Sequence, residues 1–286
     1  MKEAINIDHH INELIASKLQ HQFYDGLYLV SMDHSPSEQL SGDEWYTSTL
    51  VLSAGVEHSA LARDIAKTLR SKTPCLTKWS KATRYYKRNF FIALNKHIKK
   101  YPVFIFAVTA HKETIINSKN FLIEQLQAKD KYFEEVNGQK IRVKFGPFYQ
   151  KETKEEKFIT ISENRAIMAL FVAHFVVRMH TRMWEAANRF HPGGLNWNFF
   201  ADKFPGPPGE DMELMFTLLL GRNINRGRIL WGYFQQSDIV ETDLLADNLA
   251  GCFSDMVKRK STYKQIDTGK GLIYWEQWHT VLGDIP

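Results

Sequence analysis

The 286-residue sequence has only two cysteines, Cys75 and Cys252, and it has no apolar run of membrane-spanning length. Two cysteines cannot build a disulfide framework or a cysteine-rich zinc site, and such sparse use is typical of a reducing compartment. The longest apolar run covers roughly residues 167–177, whereas a transmembrane helix needs about 20 residues. The N-terminal segment does not follow the pattern of a signal peptide. We therefore expect a cytoplasmic protein without a membrane partner.

Acidic residues are absent from segment 78–101, and this absence sets the charge balance of the chain. The segment holds eight basic residues, which are Lys78, Lys81, Arg84, Lys87, Arg88, Lys96, Lys99 and Lys100. The whole chain has 37 Lys and Arg and 32 Asp and Glu, a net charge of +5, so the remainder has 29 basic and 32 acidic residues. Because all the excess positive charge lies in one segment, the sequence predicts a polyanionic partner.

A nucleotide-binding loop is also missing. The Gly- and Pro-rich segment 206–209 (GPPG) lacks the Lys-Ser/Thr pair of a phosphate-binding loop. No internal repeat and no low-complexity linker interrupts the chain, and its length fits one domain or one domain with an insertion. We therefore predict a single domain, 1–286.

Segments with strand and helix patterns alternate along the chain, which predicts an α/β fold with a covered sheet. The predicted strands are 27–33, 45–54, 102–109, 195–201 and 228–234. The predicted helices are 1–22, 57–70, a helix from 81 onwards, 115–128, 163–190, 212–220 and a helix near 242. The helix 163–190 is apolar nearly all round in its first half, so we expect it to be central.

Several local predictions concern helix ends and exposure. Ser80 is expected to cap the helix that begins at Lys81, with Tyr85 on its buried side. Thr242 is expected to be the N-cap of the last helix. The helix in 1–22 is expected to be peripheral.

The segment 130–160 differs from its surroundings. Asn137-Gly138 lies between two runs of strand-like residues, and this dipeptide is the strongest short-range signal for a β-hairpin. The charged segment 151–157 (KETKEEK) follows. We predict a hairpin insertion within the domain, with a solvated charged rim.

Three aspartates are placed to converge. Asp33 and Asp202 each follow a predicted strand, and Asp247 lies among small and apolar residues of a late helix. The ends of parallel neighbouring strands meet at one edge of a sheet, where a packed helix can add the third carboxylate. Carboxylate oxygens are ligands for Mg²⁺ or Mn²⁺. Two such ions about 4 Å apart can clamp a phosphodiester for in-line hydrolysis.

Short segments of the sequence, in order, resemble a bacterial family called domain of unknown function 3800. They are 32–35 (MDHS), 78–80 (KWS) and 245–251 (LADNLAG). The resemblance implies a ribonuclease-H-like fold, with a mixed central sheet flanked by helices, and metal-dependent nuclease activity on RNA or DNA. It carries over Asp33, Asp202 and Asp247 as catalytic and metal-binding residues. By analogy alone, it also suggests a protein partner in a defence or toxin system.

The sequence departs from the family pattern at several positions. His34 stands where the family has a Glu, Leu76 where it has the Glu before Lys-Trp, and Leu244 where it has a Gln. A fourth carboxylate is therefore missing, unless Glu163 or Asp243 replaces it. The chain is either a nuclease with three acids or a weakened ribonuclease-H-like module that binds nucleic acid or a protein without cutting.

Other side chains complete the predicted site. His34 is expected to act in catalysis, because histidine can move protons near neutral pH. Lys78 is expected to neutralise a phosphate. The predicted contacts to the nucleic-acid backbone are Lys78, Lys81, Arg84, Lys87 and Arg88.

Overall fold

The fold is built on one seven-stranded mixed sheet, seen in a computed structural model. The structure describes residues 2–20, 27–35, 45–70, 76–117, 134–136, 139–145, 156–161, 163–187, 190, 195–201, 227–233, 241–259 and 264–279. Its strands are β1 (Leu27–Ser35), β2 (Trp45–Ser53), β3 (Phe104–His111), β4 (Glu134–Val136), β5 (Gln139–Phe145), β6 (Glu156–Ile161), β7 (Leu195–Ala201), β8 (Gly227–Tyr233), β9 (Lys264–Asp267) and β10 (Leu272–Trp278). The order in the large sheet is β8-β7-β1-β2-β3-β10-β9.

The directions of these strands divide the sheet into two parts. β1, β2 and β3 form an antiparallel meander, and β7 and β8 run parallel to β1 on its free side. On the other side, β10 runs parallel to β3 and β9 antiparallel to β10. The prediction of an α/β protein with a covered sheet is confirmed. β9 and β10 were not predicted.

Helices cover both faces of the sheet. They are α1 (Lys2–Leu19), α2 (Glu57–Thr68), α3 (Arg84–His97), α4 (Lys112–Asn117), α5 (Glu163–Ala187) and α6 (Glu241–Lys258). α1 and α5 share one core with one face of the sheet, while α2, α3 and α6 share a second core with the other face. We call these two sides the α5 face and the α6 face. Within the described residues, no helix is both long and apolar enough to span a bilayer.

The N-terminal helix is less peripheral than its sequence suggested. Ile11, Ile15 and Leu19 are fully buried in the core on the α5 face. Their spacing of four residues places them in one stripe, and α1 packs against α5. The prediction of a helix is confirmed, and its description as peripheral is wrong.

Two predicted helix starts need correction. Trp79–Lys81 is a short 3-10 turn, and α3 begins only at Arg84, where the extended Thr83 accepts a hydrogen bond from the Tyr86 N–H at 3.2 Å. Thr83, not Ser80, is therefore the N-cap. α6 begins at Glu241, so Thr242 lies in its first turn.

The predicted hairpin forms around Asn137-Gly138. β4 and β5 flank this dipeptide and pair antiparallel, with Val136 opposite Gln139. β6 adds a parallel strand to β5, which the sequence did not predict, so these strands make a separate three-stranded sheet. Most of the predicted helix 115–128 and all of 212–220 lie outside the described residues.

Candidate functional site

The candidate site lies where α6 crosses β1 and β2. The Thr49 hydroxyl of β2 is 3.0 Å from the carbonyl oxygen of Ala246 in α6 and 3.3 Å from the carbonyl oxygen of Asp33 in β1. One buried side chain therefore joins the residue before Asp247 to Asp33 itself. This link fixes the helix that carries one predicted acid over the strand that carries another.

The pairing of β1 with β2 decides on which face Asp33 lies. Asp33 is opposite Thr49 in the register, and directly opposed residues of an antiparallel pair project to the same face. Thr49 reaches α6, so the Asp33 side chain is on the α6 face. Its Oδ1 accepts a hydrogen bond from the His34 N–H at 2.6 Å. The half-buried carboxylate is thus oriented by its own strand end.

Asp247 is held by the segment that precedes α3. Its Oδ2 accepts a hydrogen bond from the Trp79 N–H at 2.6 Å. The next residue, Asn248, is fully buried and donates to the carbonyl oxygens of Thr77 at 2.8 Å and Leu244 at 2.7 Å. Two successive side chains of α6 therefore hold residues 77–79, and this contact determines the orientation of the Asp247 carboxylate.

Trp79 is a structural centre of this site that the sequence did not reveal. Its buried indole lies so close to α6 that a Cβ on Gly251 would be 2.1 Å from its Cδ1. The Nε1 donates to Asp255 Oδ2 at 3.1 Å, and the ring of Phe90 meets the indole edge-on. The available signal was the run of small residues near Asp247, which we had expected to pack against the sheet.

The negative charge of Asp247 affects the pKa of the neighbouring Tyr86. Burial raises the pKa of Tyr86, and the Asp247 carboxylate raises it further. The Tyr86 oxygen accepts a hydrogen bond from the Thr77 N–H at 3.4 Å, which acts in the opposite direction. Tyr86 therefore stays protonated and neutral beside the site.

His34 lies on the opposite face of the sheet from Asp33. It is opposite Ser48, in the same alternation as Met32 and Leu50, and those apolar side chains belong to the core on the α5 face. Successive side chains of a strand project to opposite faces. Asp33 and His34 are therefore adjacent in sequence but are directed to different layers, which weakens the expectation that they act as one unit.

Asp202 lies outside the described residues. The last described residue before it is Ala201 of β7, which is paired in parallel register with Met32, the residue before Asp33. The prediction that the strands preceding Asp33 and Asp202 are parallel neighbours is confirmed. In the described part of the chain, no group of three or more His, Cys, Asp or Glu side chains is arranged to hold a metal ion.

The predicted basic residues differ in their surroundings. Lys78 is half-buried, whereas Lys81, Arg84 and Arg88 are exposed. Lys87 places its Nζ 5.0 Å from the centre of the Trp79 ring, within the range of a cation–π contact. The positive segment thus begins at the site and continues along the outer side of α3.

A second polar cluster, also missed in the sequence, lies on the α5 face. The buried Glu276 of β10 accepts hydrogen bonds from Arg178 at 3.4 Å and Arg182 at 3.3 Å, and also from Tyr274. Its other oxygen accepts from the Trp278 Nε1 at 2.7 Å. These bonds tie α5 to β10, and we assign the cluster a structural role.

No protein-family model matches the chain, and no curated protein matches it.

Proposed function

We propose that this protein is a metal-dependent nuclease with a ribonuclease-H-like fold that hydrolyses phosphodiester bonds. The observation that carries the proposal is the link through Thr49, which holds α6 and Asp247 over the strand end that bears Asp33. Both side chains belong to the set expected from the sequence. The resemblance to domain of unknown function 3800 supports the same assignment.

The strand order is a second support. An antiparallel meander, β3-β2-β1, continues in two parallel strands, β7 and β8, and a mixed sheet flanked by helices is what the resemblance implies. α6, the helix that crosses β1 and β2, follows β8 in the sequence. Since a fold does not by itself imply a function, the carboxylates remain the decisive feature.

The oxygen donors of this region suit Mg²⁺ or Mn²⁺. Asp33 lies on the face of the sheet that α6 covers, and its carboxylate would supply oxygen ligands together with Asp247 of α6 and Asp202. When bound, such ions supply an activated water and neutralise charge on the phosphate. The carboxylates of Asp33 and Asp247 each have one oxygen that accepts a backbone N–H hydrogen bond, which limits the rotation of the carboxylate.

The protein's own residues then have separate tasks. The hydrogen bond from the Trp79 N–H keeps Asp247 from turning away, and the His34 N–H does the same for Asp33. Lys78, which begins the turn that holds Trp79, would place positive charge beside a phosphate. His34 can take part only from the rim of the sheet, because its strand directs it to the α5 face.

A cleavage assay tests this proposal. End-labelled RNA, DNA and hybrid substrates, both single- and double-stranded, would be incubated with Mg²⁺, Mn²⁺ or EDTA. We expect metal-dependent cutting that falls by at least about 100-fold in Asp33→Asn, Asp202→Asn and Asp247→Asn, because loss of even an outer-shell contact can cost a metal site that much.

Asp255→Asn is the matched control. It makes the same change two turns further along α6, and its amide oxygen can still accept the Trp79 Nε1 hydrogen bond. We expect it to cut like the natural protein. Undiminished cutting by the Asp33 and Asp247 variants, with their folding intact, would exclude them as ligands.

A binding module of the same fold is the second candidate. It is favoured by the replacement of a family Glu by His34 and by the positive charge concentrated in segment 78–101, which contains no acid. It predicts a salt-sensitive mobility shift without turnover, reduced when Lys87 and Arg88 are replaced. A role in a defence or toxin system stays a prediction from the resemblance.

A further inference from the structure

We propose that the outer side of α3 binds single-stranded nucleic acid, with Tyr85 as a platform for an unpaired base and Arg84 and Arg88 as phosphate contacts. The inference deepens the proposed function, on which it rests for the reaction that follows binding. It names the strandedness of the substrate and one recognition residue, Tyr85, for which the sequence predicted a buried position.

Tyr85 is exposed although its neighbour is not. The side chain of Tyr85 is 63% exposed, whereas Tyr86 is 6% exposed and packs on Phe90. Tyr86 therefore belongs to the core, and Tyr85 is in solvent. The prediction that Tyr85 is buried is wrong. An exposed ring among cations matches how proteins stack bases of single strands.

Three basic residues near Tyr85 have no acidic partner in the described part of the chain. They are Lys81, Arg84 and Arg88. Farther along, Lys100 is 3.4 Å from Asp64, so the other end of the basic segment is partly neutralised. The N-terminal half of α3 and the turn before it therefore present Lys81, Arg84 and Arg88 with their charges unbalanced by any acid of the described residues.

Helix geometry places these groups together. Arg84 and Arg88 are four residues apart and so lie roughly 6 Å apart on one side of the helix, with Tyr85 beside them. A nucleic-acid backbone that follows the arginines would therefore bring its bases to the ring. In a duplex the base faces are covered by stacking and only the edges are offered in the grooves, so a free ring face has a partner only in unpaired bases.

The same helix joins this surface to the candidate site. Lys87, between the ring and Arg88 in sequence, lies over Trp79, and the Trp79 N–H holds Asp247. Lys87 and Trp79 therefore form a chain of contacts that leads from α3 to Asp247. The charge of this surface is complementary to a polyanion, since segment 78–101 contains no acid.

Fluorescence anisotropy in EDTA tests the inference without cleavage. The probes are fluorescein-labelled oligothymidylate, oligouridylate and a blunt DNA duplex, each of about 12 nucleotides or base pairs, within the site sizes of single-strand binders. We expect both single strands to bind at least about tenfold more tightly than the duplex, as stacking on one ring allows. The DNA and RNA arms separate the two sources of an unpaired base.

Four variants separate the contribution of stacking from that of charge. Tyr85→Ala should weaken single-strand binding by about 5- to 150-fold, the range for one lost stack, while Tyr85→Phe keeps the affinity. The matched control is Ile92→Ala, an equally exposed residue two turns on, which should bind like the natural protein. The double variant Arg84→Gln, Arg88→Gln should lower the slope of log K against log salt by about 1.4, whereas Tyr85→Ala leaves the slope unchanged.

The outcomes also separate this inference from the proposed function. Equal binding of duplex and single strand, no binding of any single strand, or full affinity in Tyr85→Ala overturns the single-strand surface. Metal-dependent cutting that depends on Asp33 and Asp247 would then still support the nuclease. Conversely, Tyr85-dependent binding without cutting supports this surface and overturns the nuclease.

Discussion

At the scale of single residues, the site depends on one glycine. Gly251 allows the indole of Trp79 to lie against α6, and Trp79 in turn holds Asp247. An alanine in the interior of a helix normally stabilises it by about 1 kcal/mol relative to glycine. Here the added methyl would meet a buried ring, and overpacking of a core typically costs about 1–3 kcal/mol. The steric effect should therefore exceed the gain in helix propensity.

We predict that Gly251→Ala lowers the free energy of unfolding by up to about 2 kcal/mol in the natural background, the clash less the propensity gain. In a Trp79→Ala background the same change should raise it by about 1 kcal/mol, because the ring is gone. Urea denaturation of the four proteins in this double-mutant cycle measures both values. The same sign in both backgrounds would show that Trp79 is not the obstacle.

Residue patterns predicted some of these details and not others. The predicted strand ended at Asp33, whereas β1 continues to Ser35, so the alternation that directs Asp33 and His34 to opposite faces was not predicted. The Trp79–Asp247 hydrogen bond joins residues far apart in the chain. No local pattern encodes such a pair, so it had to come from the fold.

At the scale of elements, the position of α6 is set by a threonine in the sheet. Thr49 is fully buried, and its hydroxyl contacts the backbone of both α6 and β1. Thr47, two residues earlier on the same face, instead has its hydroxyl 3.2 Å from that of Thr109 in β3. The two threonines have the same chemistry and burial, but only Thr49 connects the elements that carry the candidate acids.

We predict that Thr49→Val lowers cleavage more than Thr47→Val does, although both remove a buried hydrogen bond and should cost about 0.5–1.5 kcal/mol of stability. Valine keeps the shape of threonine and removes only the hydroxyl. Cleavage rates and urea denaturation of both variants give the comparison. Equal losses of activity at equal stability would mean that the Thr49 contacts do not position α6.

The elements themselves were predicted unevenly. β7 matches its prediction residue for residue, and β1 and β2 match within two, because their apolar and β-branched runs are bounded by polar loops. β9 and β10 were missed since the tail after 258 mixes charged, polar and aromatic residues. The start of α3 was misplaced because Ser80 and Thr83 are equally good caps in sequence, and only the 3-10 turn separates them.

At the scale of the whole molecule, each layer contains a buried neutral histidine. His58 of α2 is 1% exposed and bonds to Ser53, and His180 of α5 is 2% exposed with its Nε2 3.1 Å from the Leu195 carbonyl oxygen. Burial lowers the pKa of each histidine from 6.5 to about 4. Between those pH values the unfolded chain binds more protons than the folded one, so stability falls as the pH falls.

We predict that each histidine costs about 2 kcal/mol of unfolding free energy on acidification from pH 7 to pH 5, which is the proton-linkage consequence of its lowered pKa. The two histidines together should therefore account for roughly 4 kcal/mol. His58→Asn or His180→Gln should remove about half of this combined loss, and the double variant most of it. Urea denaturation at both pH values measures the loss. An unchanged loss in the double variant would assign the acid sensitivity to other groups.

The pairing of β3 with β10 has a consequence for how the protein is made. Phe104 pairs with Leu272, so a strand in the middle of the sheet acquires one of its neighbours only after the long intervening segment of the chain has been made. Pairing over such a sequence separation is slow, because a long loop must close first. During synthesis, Asp33 and Trp79 leave the ribosome long before Asp247. The proposed site needs Asp247 and therefore cannot form until α6 has been made, so a nascent chain that ends before this helix lacks the proposed cleavage site.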